Sequence, residues 1–248
     1  MSSETLKKKG RISDEIKHDQ DIRPKAEMIW GWATSAGKLR LRRRIELIKN
    51  NANVDVAKKV LEFGCGTGLL SREISSSCRE LIAIDISDEF LETAKARSSQ
   101  PNIVYLKIDA QDTHFENNSF DAVIGNSVLH HLDMEKSLRE VFRLLKPGGN
   151  MVFAEPNMLN PQIIIQKNIP FIKKIMGDSP GETAIIKFRL EAQLRKLNFK
   201  KILITPFDFL HPYTPKPLIK TVSRLSEYLE KMPILREIAG SLLIVAEK

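Results

Sequence analysis

Short apolar runs alternate along the chain with longer segments in which apolar residues recur every three or four positions. Short runs are typical of buried strands, and the longer spacing is typical of amphipathic helices. Because strands that alternate with helices pair in parallel through right-handed crossovers, the pattern predicts an α/β protein built on a doubly wound sheet. The predicted strands are 60–63, 81–84, 103–108, 120–125, 151–154, 201–205 and 242–246, and the predicted helices lie within 24–50, from 69, after 87, at 134–145 and around 186–197.

A glycine-rich turn joins the first predicted strand to the next helix. Gly64, Gly66 and Gly68 alternate there, and a backbone without Cβ atoms lets a ligand approach closely. In the dinucleotide-binding fingerprint the third small residue comes one position later, where this chain has Leu69. Glu62, two residues before the first glycine, would repel a pyrophosphate and attract an ammonium group. The turn therefore favours a ligand that carries an amine and no phosphate.

Two further carboxylates stand where predicted strands end. Asp85 follows the second strand and Asp109 follows the third. Ligands of open α/β sheets bind outside the carboxyl ends of the strands, so both side chains are candidates for a ligand site. Asp85 comes 17 positions after Gly68 and is suited to accept both hydroxyls of a ribose. A role in a turn or a helix cap is an equal alternative for Asp85.

The segment VLEFGCGTGLLS at 60–71 strongly resembles motif I, E/D-x-G-x-G-x-G, of the class I S-adenosylmethionine-dependent methyltransferases. The segment that begins with Asp109 and Ala110 resembles the adenine-binding turn of that family. NSVLHHL at 126–132 resembles the segment that closes over the methionine part, and KPGG at 146–149 resembles the turn before strand five. The resemblance covers roughly residues 60–155 and is greatest to the small-molecule type, with a core like that of the ubiquinone and menaquinone methyltransferases.

This resemblance implies a fold and a cofactor. The fold would be a Rossmann-like seven-stranded sheet of order 3-2-1-4-5-7-6, in which strand seven is antiparallel. The cofactor would be S-adenosyl-L-methionine, the product S-adenosyl-L-homocysteine, and Asp109 would bind the exocyclic amine of adenine. No metal is expected. The expected cofactor-binding residues are Glu62, Gly64, Cys65, Gly66, Gly68, Asp85, Ile86, Asp109, Ala110 and Asn126.

A general base would help if the acceptor is a hydroxyl group. The candidates are His130, His131 and His211, with Glu155 at the end of strand five as a carboxylate alternative. His131 matches the position where related enzymes often carry a histidine before an aliphatic residue. We therefore predict His131, with His130 beside it, as the catalytic pair. The alternative is a structural role for both histidines at a helix entrance.

Several acceptor classes are disfavoured. Enzymes that methylate adenine carry an Asn/Asp-Pro-Pro-aromatic motif after strand four, where this chain has Asn126-Ser127-Val128-Leu129. Cytosine C5 methylation needs a cysteine nucleophile on a loop, and neither Cys65 nor Cys78 is placed for it. The ligand set of the metal-dependent catechol enzymes is not recognisable. A small molecule, methylated on oxygen, nitrogen or carbon, is the favoured acceptor.

The chain is predicted to divide into an N-terminal arm with cap helices, 1–50, and a methyltransferase domain, 51–248; the polar stretch 1–22 is predicted to be frayed. Two connections, 156–181 and 206–240, are longer than the core needs and rich in large apolar groups. With Trp30 and Trp32 they are predicted to cap an apolar or aromatic acceptor. Alternatively, these groups pack the insertions onto the domain, or the apolar face of 161–176 rests on a membrane or pairs two subunits.

The composition is that of a globular protein, and no apolar run approaches the roughly 18 residues of a membrane span. Lys7-Lys8-Lys9 are followed by no apolar segment, so no secretory signal is predicted. The two cysteines predict neither a disulfide framework nor a metal cluster, and a cytoplasmic location fits them.

The formal net charge is +8, and its densest cluster lies on one predicted helix. We interpret the excess positive charge as solvated helix faces, so a nucleic-acid partner is not expected. For the cluster itself the sequence leaves open an anionic substrate group, an acidic membrane surface, RNA or no binding role. An RNA or protein methyltransferase that docks through the cluster is one alternative, and a non-catalytic S-adenosylmethionine-binding protein is another. The oligomeric state is not predicted. The cluster consists of Lys38, Arg40, Arg42, Arg43 and Arg44.

Overall fold

The computed structural model of the protein describes residues 13, 15–17, 20–22, 25–176, 178 and 183–248, without the side chain of Lys174. Most of the predicted frayed arm lies outside these residues. Residues 20–22 are helical, and Ile22 is buried in a small cluster with Ala26 and Phe90. The prediction of a frayed end is therefore wrong at Ile22, which anchors the N-terminal segment to the domain.

Within the described ranges, seven strands form one sheet of order β3-β2-β1-β4-β5-β7-β6. Strand β7 is antiparallel to β5 and β6, and the other pairings are parallel. The predicted Rossmann-like fold, including its strand order, is confirmed. The strands are β1 Lys59–Phe63, β2 Glu80–Asp85, β3 Ile103–Lys107, β4 Phe120–Asn126, β5 Leu145–Pro156, β6 Lys200–Phe207 and β7 Ser241–Glu247.

Four of the described helices begin at a residue whose side chain caps the helix. Thr34, Ser87 and Asp133 each accept a hydrogen bond from a backbone N–H in the first turn of the helix that follows. The helices are α1 Ala26–Ile29, α2 Ser35–Asn51, α3 Leu69–Ser75, α4 Asp88–Ala96, α5 Met134–Leu144, α6 Pro161–Asn168, α7 Pro170–Ile175, α8 Lys187–Lys196, α9 Lys216–Leu229 and α10 Pro233–Arg236.

Apolar residues cover both faces of the sheet, as doubly wound folds require. Leu138 of α5 and Leu190 of α8 belong to the core cluster on one face, and Ile48 of α2 and Leu70 of α3 belong to the cluster on the other. Because α2 contributes to the same core, the N-terminal helices are packed on the sheet. The predicted division of the chain at residue 50 stays a prediction.

Strand β5 is longer than predicted at both ends. It begins at Leu145, directly after α5, so the KPGG segment is counted within the strand and not as a separate turn. At its other end β5 continues to Pro156, which brings Glu155 into the sheet beside the end of β4. The carboxyl ends of β1, β2, β4 and β5 thus meet at one edge.

Candidate active site

A cavity of about 410 Å³ opens at the carboxyl edge of the sheet. Its wall combines the strand ends with the segment before α2 and with the connections that follow β5 and β6. Of the residues predicted from the sequence, Gly68 does not line the cavity, and its part in cofactor binding stays a prediction. The predicted residues that do line it are Glu62, Gly64, Cys65, Gly66, Asp85, Ile86, Asp109, Ala110, Asn126, His130 and His131.

Two glycines of the turn occupy positions that other residues would disturb. Gly64 has φ +61°, and a Cβ atom there would lie 2.4 Å from Cγ2 of Val128. Gly66 has φ +50°, and its N–H donates a hydrogen bond of 2.8 Å to Oδ2 of Asp85. A Cβ atom on Gly66 would come within 3.4 Å of the Trp30 ring. The turn therefore presents bare backbone to the cavity, as a close-fitting ligand requires.

Glu62 is a buried carboxyl group at the floor of the cavity. It is 1% exposed, and its Oε2 accepts a hydrogen bond of 2.6 Å from the hydroxyl of Ser71. Burial raises the pKa of Glu62 to about 8, because the charged form loses its hydration. A cationic amine placed beside this group would restore its negative charge.

Asp85 and Asp109 lie at the next two strand ends. Asp85 accepts hydrogen bonds from the backbone N–H groups of Gly66 and Ser87, at 2.8 and 3.0 Å, and burial raises its pKa in spite of them. Asp109 Oδ1 accepts the N–H of Gln111 at 3.0 Å, which fixes the turn that contains Ala110. Buried acceptors beside bare backbone fit a nucleoside that carries an amino acid.

The segment around α1 lies against the glycine turn. The hydroxyl of Thr67 donates a hydrogen bond of 2.8 Å to Glu27, and Arg97 forms an ion pair with the same carboxylate. Trp30 packs edge-on against Phe90, with ring centroids 5.2 Å apart. The sequence predicted cap helices with Trp30, but no local motif indicated Glu27 as the contact between cap and turn.

His130 and Glu155 form a buried pair. His130 Nδ1 lies 2.7 Å from Oε2 of Glu155, and Oε1 of Glu155 accepts the backbone N–H groups of Val128 and Leu129, each at 2.9 Å. Burial alone would raise the pKa of Glu155, but the hydrogen bonds outweigh it and lower the pKa below its ordinary value. The carboxylate therefore stays ionised and accepts a proton-bearing Nδ1.

His131 has a different environment from its neighbour. Its ring lies beside that of His130, with centroids 4.2 Å apart, and its Nδ1 lies 3.4 Å from a carboxylate oxygen of Glu15. The side chain is 27% exposed, against 5% for that of His130. The geometry therefore favours His130 over His131 as the histidine that a buried carboxylate orients. The signal for this was Glu155 at a strand end, which the sequence suggested only as an alternative base.

The basic cluster on α2 is largely turned into the protein. Arg40 Nε lies 2.7 Å from Asp208, and Arg43 makes two hydrogen bonds, of 2.8 and 2.5 Å, to Glu230. Arg44 is 3% exposed and donates to Asn126 Oδ1 at 2.9 Å. Its pKa is lowered to about 10 by burial and by the neighbouring Arg40. Arg40 and Arg44 are therefore not part of a solvated basic face, whereas Lys38 and Arg42 are exposed and the side chain of Arg43 is 38% exposed.

Comparison with known proteins agrees with this geometry. Residues 61–153 match the family model described as a methyltransferase domain. This segment runs from β1 to β5 and contains the glycine turn, Asp85, Asp109 and the histidine pair. The chain has a class I S-adenosylmethionine-dependent methyltransferase domain. Its cofactor is S-adenosylmethionine, and the residues of the turn fit that group.

Several curated relatives of the methyltransferase domain are demethylmenaquinone methyltransferases. A demethylmenaquinone methyltransferase of Paenarthrobacter aurescens is 32% identical over 150 residues, which is 60% of this chain and 56% of the relative. The enzyme of the same name from Lactococcus lactis is 34% identical over 139 residues, covering 50% of this chain and 54% of the relative. The chain thus spans a little over half the length of these relatives.

Solved structures share the methyltransferase fold over most of the chain. An S-adenosylmethionine-dependent methyltransferase of Thermotoga maritima has a TM-score of 0.68 at 17% identity and covers 94% of this chain and 99% of its own. The [4+2]-cyclase SpnF has a TM-score of 0.67 at 18% identity, with coverages of 94% and 95%. At these identities the likeness concerns the fold alone.

Among the described residues, no three or more histidine, cysteine or acidic side chains are grouped to hold a metal ion. Nor does this part of the chain contain a helix with the length and apolar character needed to cross a bilayer.

Proposed function

We propose that this protein transfers a methyl group from S-adenosylmethionine to a small, partly apolar or aromatic molecule bound in the same cavity. The observation that carries the proposal is the position of His130 and Glu155. They line or adjoin the cavity that also contains Glu62, Asp85 and Asp109. One cavity thus combines groups suited to a nucleoside that carries an amino acid with a histidine suited to proton transfer.

The turn side of the cavity is proposed to hold the cofactor. Asp85 would accept the ribose hydroxyls, Glu62 the ammonium group, and Asp109 with Ala110 the adenine edge. Gly64, Cys65, Gly66, Gly68, Ile86 and Asn126 complete the proposed binding residues. When bound, S-adenosylmethionine supplies an already activated methyl group, so the protein needs chiefly to align the acceptor and exclude water.

His130 is proposed to be the general base. Because the ionised Glu155 accepts the proton on Nδ1, neutral His130 carries its lone pair on Nε2 and can accept a proton there. Glu155 would then be a positioning residue that fixes the tautomer and stabilises the imidazolium that forms. His131, the candidate favoured by sequence, is proposed as a cavity residue in contact with the ring of His130.

The acceptor side of the cavity is lined by aromatic and apolar groups together with a few polar ones. Trp32, Phe209 and Tyr213 line it, and Gln162 Nε2 lies 2.7 Å from Nε2 of His211. Such a lining suits an aromatic molecule with a polar substituent. The names of several relatives specify demethylmenaquinone, which supports a small-molecule acceptor. The ion pairs of Arg40 with Asp208 and of Arg43 with Glu230 argue against docking of RNA through that helix.

The test uses S-adenosylmethionine with an isotope-labelled methyl group and a panel of phenols, quinols and amines. We expect one acceptor class to gain the label, and His130→Gln to lower kcat by at least about a hundredfold with KM for the cofactor within a few fold. The matched control is His114→Gln, because His114 is an exposed histidine outside the cavity.

Three results would count against the proposal. S-adenosylhomocysteine binding without transfer to any acceptor would favour a non-methylating role, as the cyclase with the same fold illustrates. An unchanged kcat in His130→Gln would remove the proposed base. Tight, salt-sensitive binding of RNA would support the alternative hypothesis that the protein docks on nucleic acid. A cytoplasmic location is part of the proposal, and the two buried free cysteines are consistent with it.

A further inference from the structure

Exposed apolar side chains are concentrated in the two long connections that follow β5 and β6. Nineteen large apolar residues are exposed in the described part of the chain, and thirteen of them lie in these connections. Such a concentration marks an interaction surface when it recurs on one side of a molecule. The residues are Ile164, Ile165, Ile169, Phe171 and Ile175 in the first connection, and Tyr213, Leu218, Leu225, Tyr228, Met232, Ile234, Leu235 and Ile238 in the second.

Few residues are buried in the helices that carry these side chains. No residue of α6 or α10 is buried, and α9 buries only Ile219 and Ser226 among its fourteen residues. Phe171 is 73% exposed and Ile234 is 86% exposed. The apolar residues of these connections therefore do not mainly pack the insertions onto the domain, nor do most of them line the acceptor cavity.

The two connections meet at the mouth of the cavity, where Gln162 of α6 contacts His211. Asn160, just before α6, donates a hydrogen bond of 2.7 Å to the carbonyl of Ile238, just after α10. On α6 itself, Ile163 lines the cavity while its neighbours Ile164 and Ile165 are 43% and 50% exposed. Because the exposed and the cavity-lining isoleucines are neighbours on α6, an apolar molecule would pass from this surface into the cavity along α6.

Cations flank the exposed apolar residues on α9. At 100° per residue, Leu218, Leu225 and Tyr228 share one arc of the helix surface. The adjoining arc carries three exposed cations and one exposed acid, which are Lys216, Lys220, Arg224 and Glu227. An apolar strip bordered by cations is the pattern of helices that lie in the interface of an anionic bilayer. If two copies of the chain paired symmetrically through this strip, the cations of one copy would lie near those of the other. Anionic headgroups would instead neutralise these cations.

We propose that the surface formed by α6, α7, α9 and α10 docks the protein on an anionic lipid bilayer, with the cavity mouth facing the lipid. The apolar side chains enter the boundary between headgroups and acyl chains, and the cations of α9 contact the headgroups. This proposal concerns attachment to the bilayer and does not depend on methyl transfer.

The experiment is sedimentation of the full chain with lipid vesicles. We expect binding at low salt to vesicles of phosphatidylcholine mixed with phosphatidylglycerol, and little binding to phosphatidylcholine alone. Phe171→Ser combined with Ile175→Ser should lower binding at least about tenfold, because two apolar side chains no longer enter the bilayer. Lys220→Glu combined with Arg224→Glu should weaken binding to the mixed vesicles and reduce its dependence on salt.

The matched control is Val56→Ser. Val56 is 78% exposed but precedes β1, at the opposite edge of the sheet, so its loss should leave vesicle binding unchanged. Calorimetry with S-adenosylhomocysteine should show the parental affinity for every variant, which reports folding and the cofactor site separately.

Three outcomes would overturn the proposal. The first is no binding to the mixed vesicles by well-folded protein. The second is an equal loss of binding in the Val56 variant. The third is a dimer, seen by light scattering, that the Phe171 and Ile175 substitutions dissociate while vesicle binding is absent; it would assign the surface to a second copy of the chain.

Discussion

Each half of the cavity contains a buried carboxyl group, and the pKa values of the two groups are shifted in opposite directions. In the glycine-turn half, formed by residues 62–71 and 85–87, Glu62 is buried with one hydroxyl donor, and its pKa is raised to about 8. In the cap half, formed by residues 40–44, 126–131, 155–163 and 208–213, Glu155 is equally buried but has three donors, and its pKa is lowered.

Glu62 therefore lacks a partner that would stabilise its charge until a ligand binds, whereas Glu155 already has such partners within the protein. An uncompensated buried carboxyl is neutral until a cation arrives, whereas a fully hydrogen-bonded carboxylate is a fixed charge that orients its neighbours. The glycine-turn half is therefore suited to respond to a ligand, and the cap half is preorganised around His130.

The largest expected effect tests the contact between the halves. Gly64→Ala should lower the free energy of unfolding by about 3 kcal/mol, since it adds a left-handed alanine and a clash with Val128. Gly148→Ala is the matched control, because Gly148 also has a positive φ, +77°, but no atom lies within 4 Å of the added Cβ. Its cost should be only about 1 kcal/mol. Equal losses in urea titrations would show that the clash is relieved without cost.

The second prediction concerns ligand binding in the glycine-turn half. Asp85→Ala should weaken the binding of S-adenosylhomocysteine about a hundredfold, because two hydrogen bonds to a charged acceptor are lost. Asp88→Ala is the control; this aspartate is exposed and paired with Lys107. Calorimetry measures both. Parental affinity in Asp85→Ala would remove Asp85 from the proposed site.

The third prediction concerns the fixed charge of the cap half. Glu155→Gln should cost about 2 kcal/mol of unfolding free energy at neutral pH, because His130 loses a charged acceptor. Since the folded pKa of Glu155 is lowered, its contribution is present above the unfolded pKa and is lost as pH falls through the folded value. Wild type and variant should therefore converge in acid. A constant difference at all pH values would contradict the ionised pair.

The fourth prediction, for Glu62, has the opposite sign of pH dependence. Because the folded pKa of Glu62 is raised from 4.5 to about 8, its contribution is full below pH 4.5 and is lost as pH rises to about 8. Glu62→Gln should flatten this decline. If an ammonium group binds at Glu62, cofactor binding at pH 7 should release up to about one proton, which calorimetry in two buffers detects. No proton release by the parent would exclude that contact.

The sequence by itself determined the sheet and the glycine-turn half. Strand periods, cap residues such as Ser87, and the spacing of Gly64, Gly66 and Asp85 are local features, and they fix backbone geometry within a few residues. In this half the hydrogen bonds that define the site, such as Gly66 to Asp85, join residues that successive strands bring to the same edge.

Only the tertiary structure decided the cap half and the outer surface. The ion pair of Arg40 with Asp208 joins residues 168 positions apart, and the hydrogen bond between His130 and Glu155 joins residues 25 apart. Hydrophobic periodicity shows that a helix has an apolar face but not which neighbour covers it. It therefore could not show that Arg40 and Arg44 of α2 turn inward while Phe171 of α7 remains exposed, because both depend on how distant segments pack.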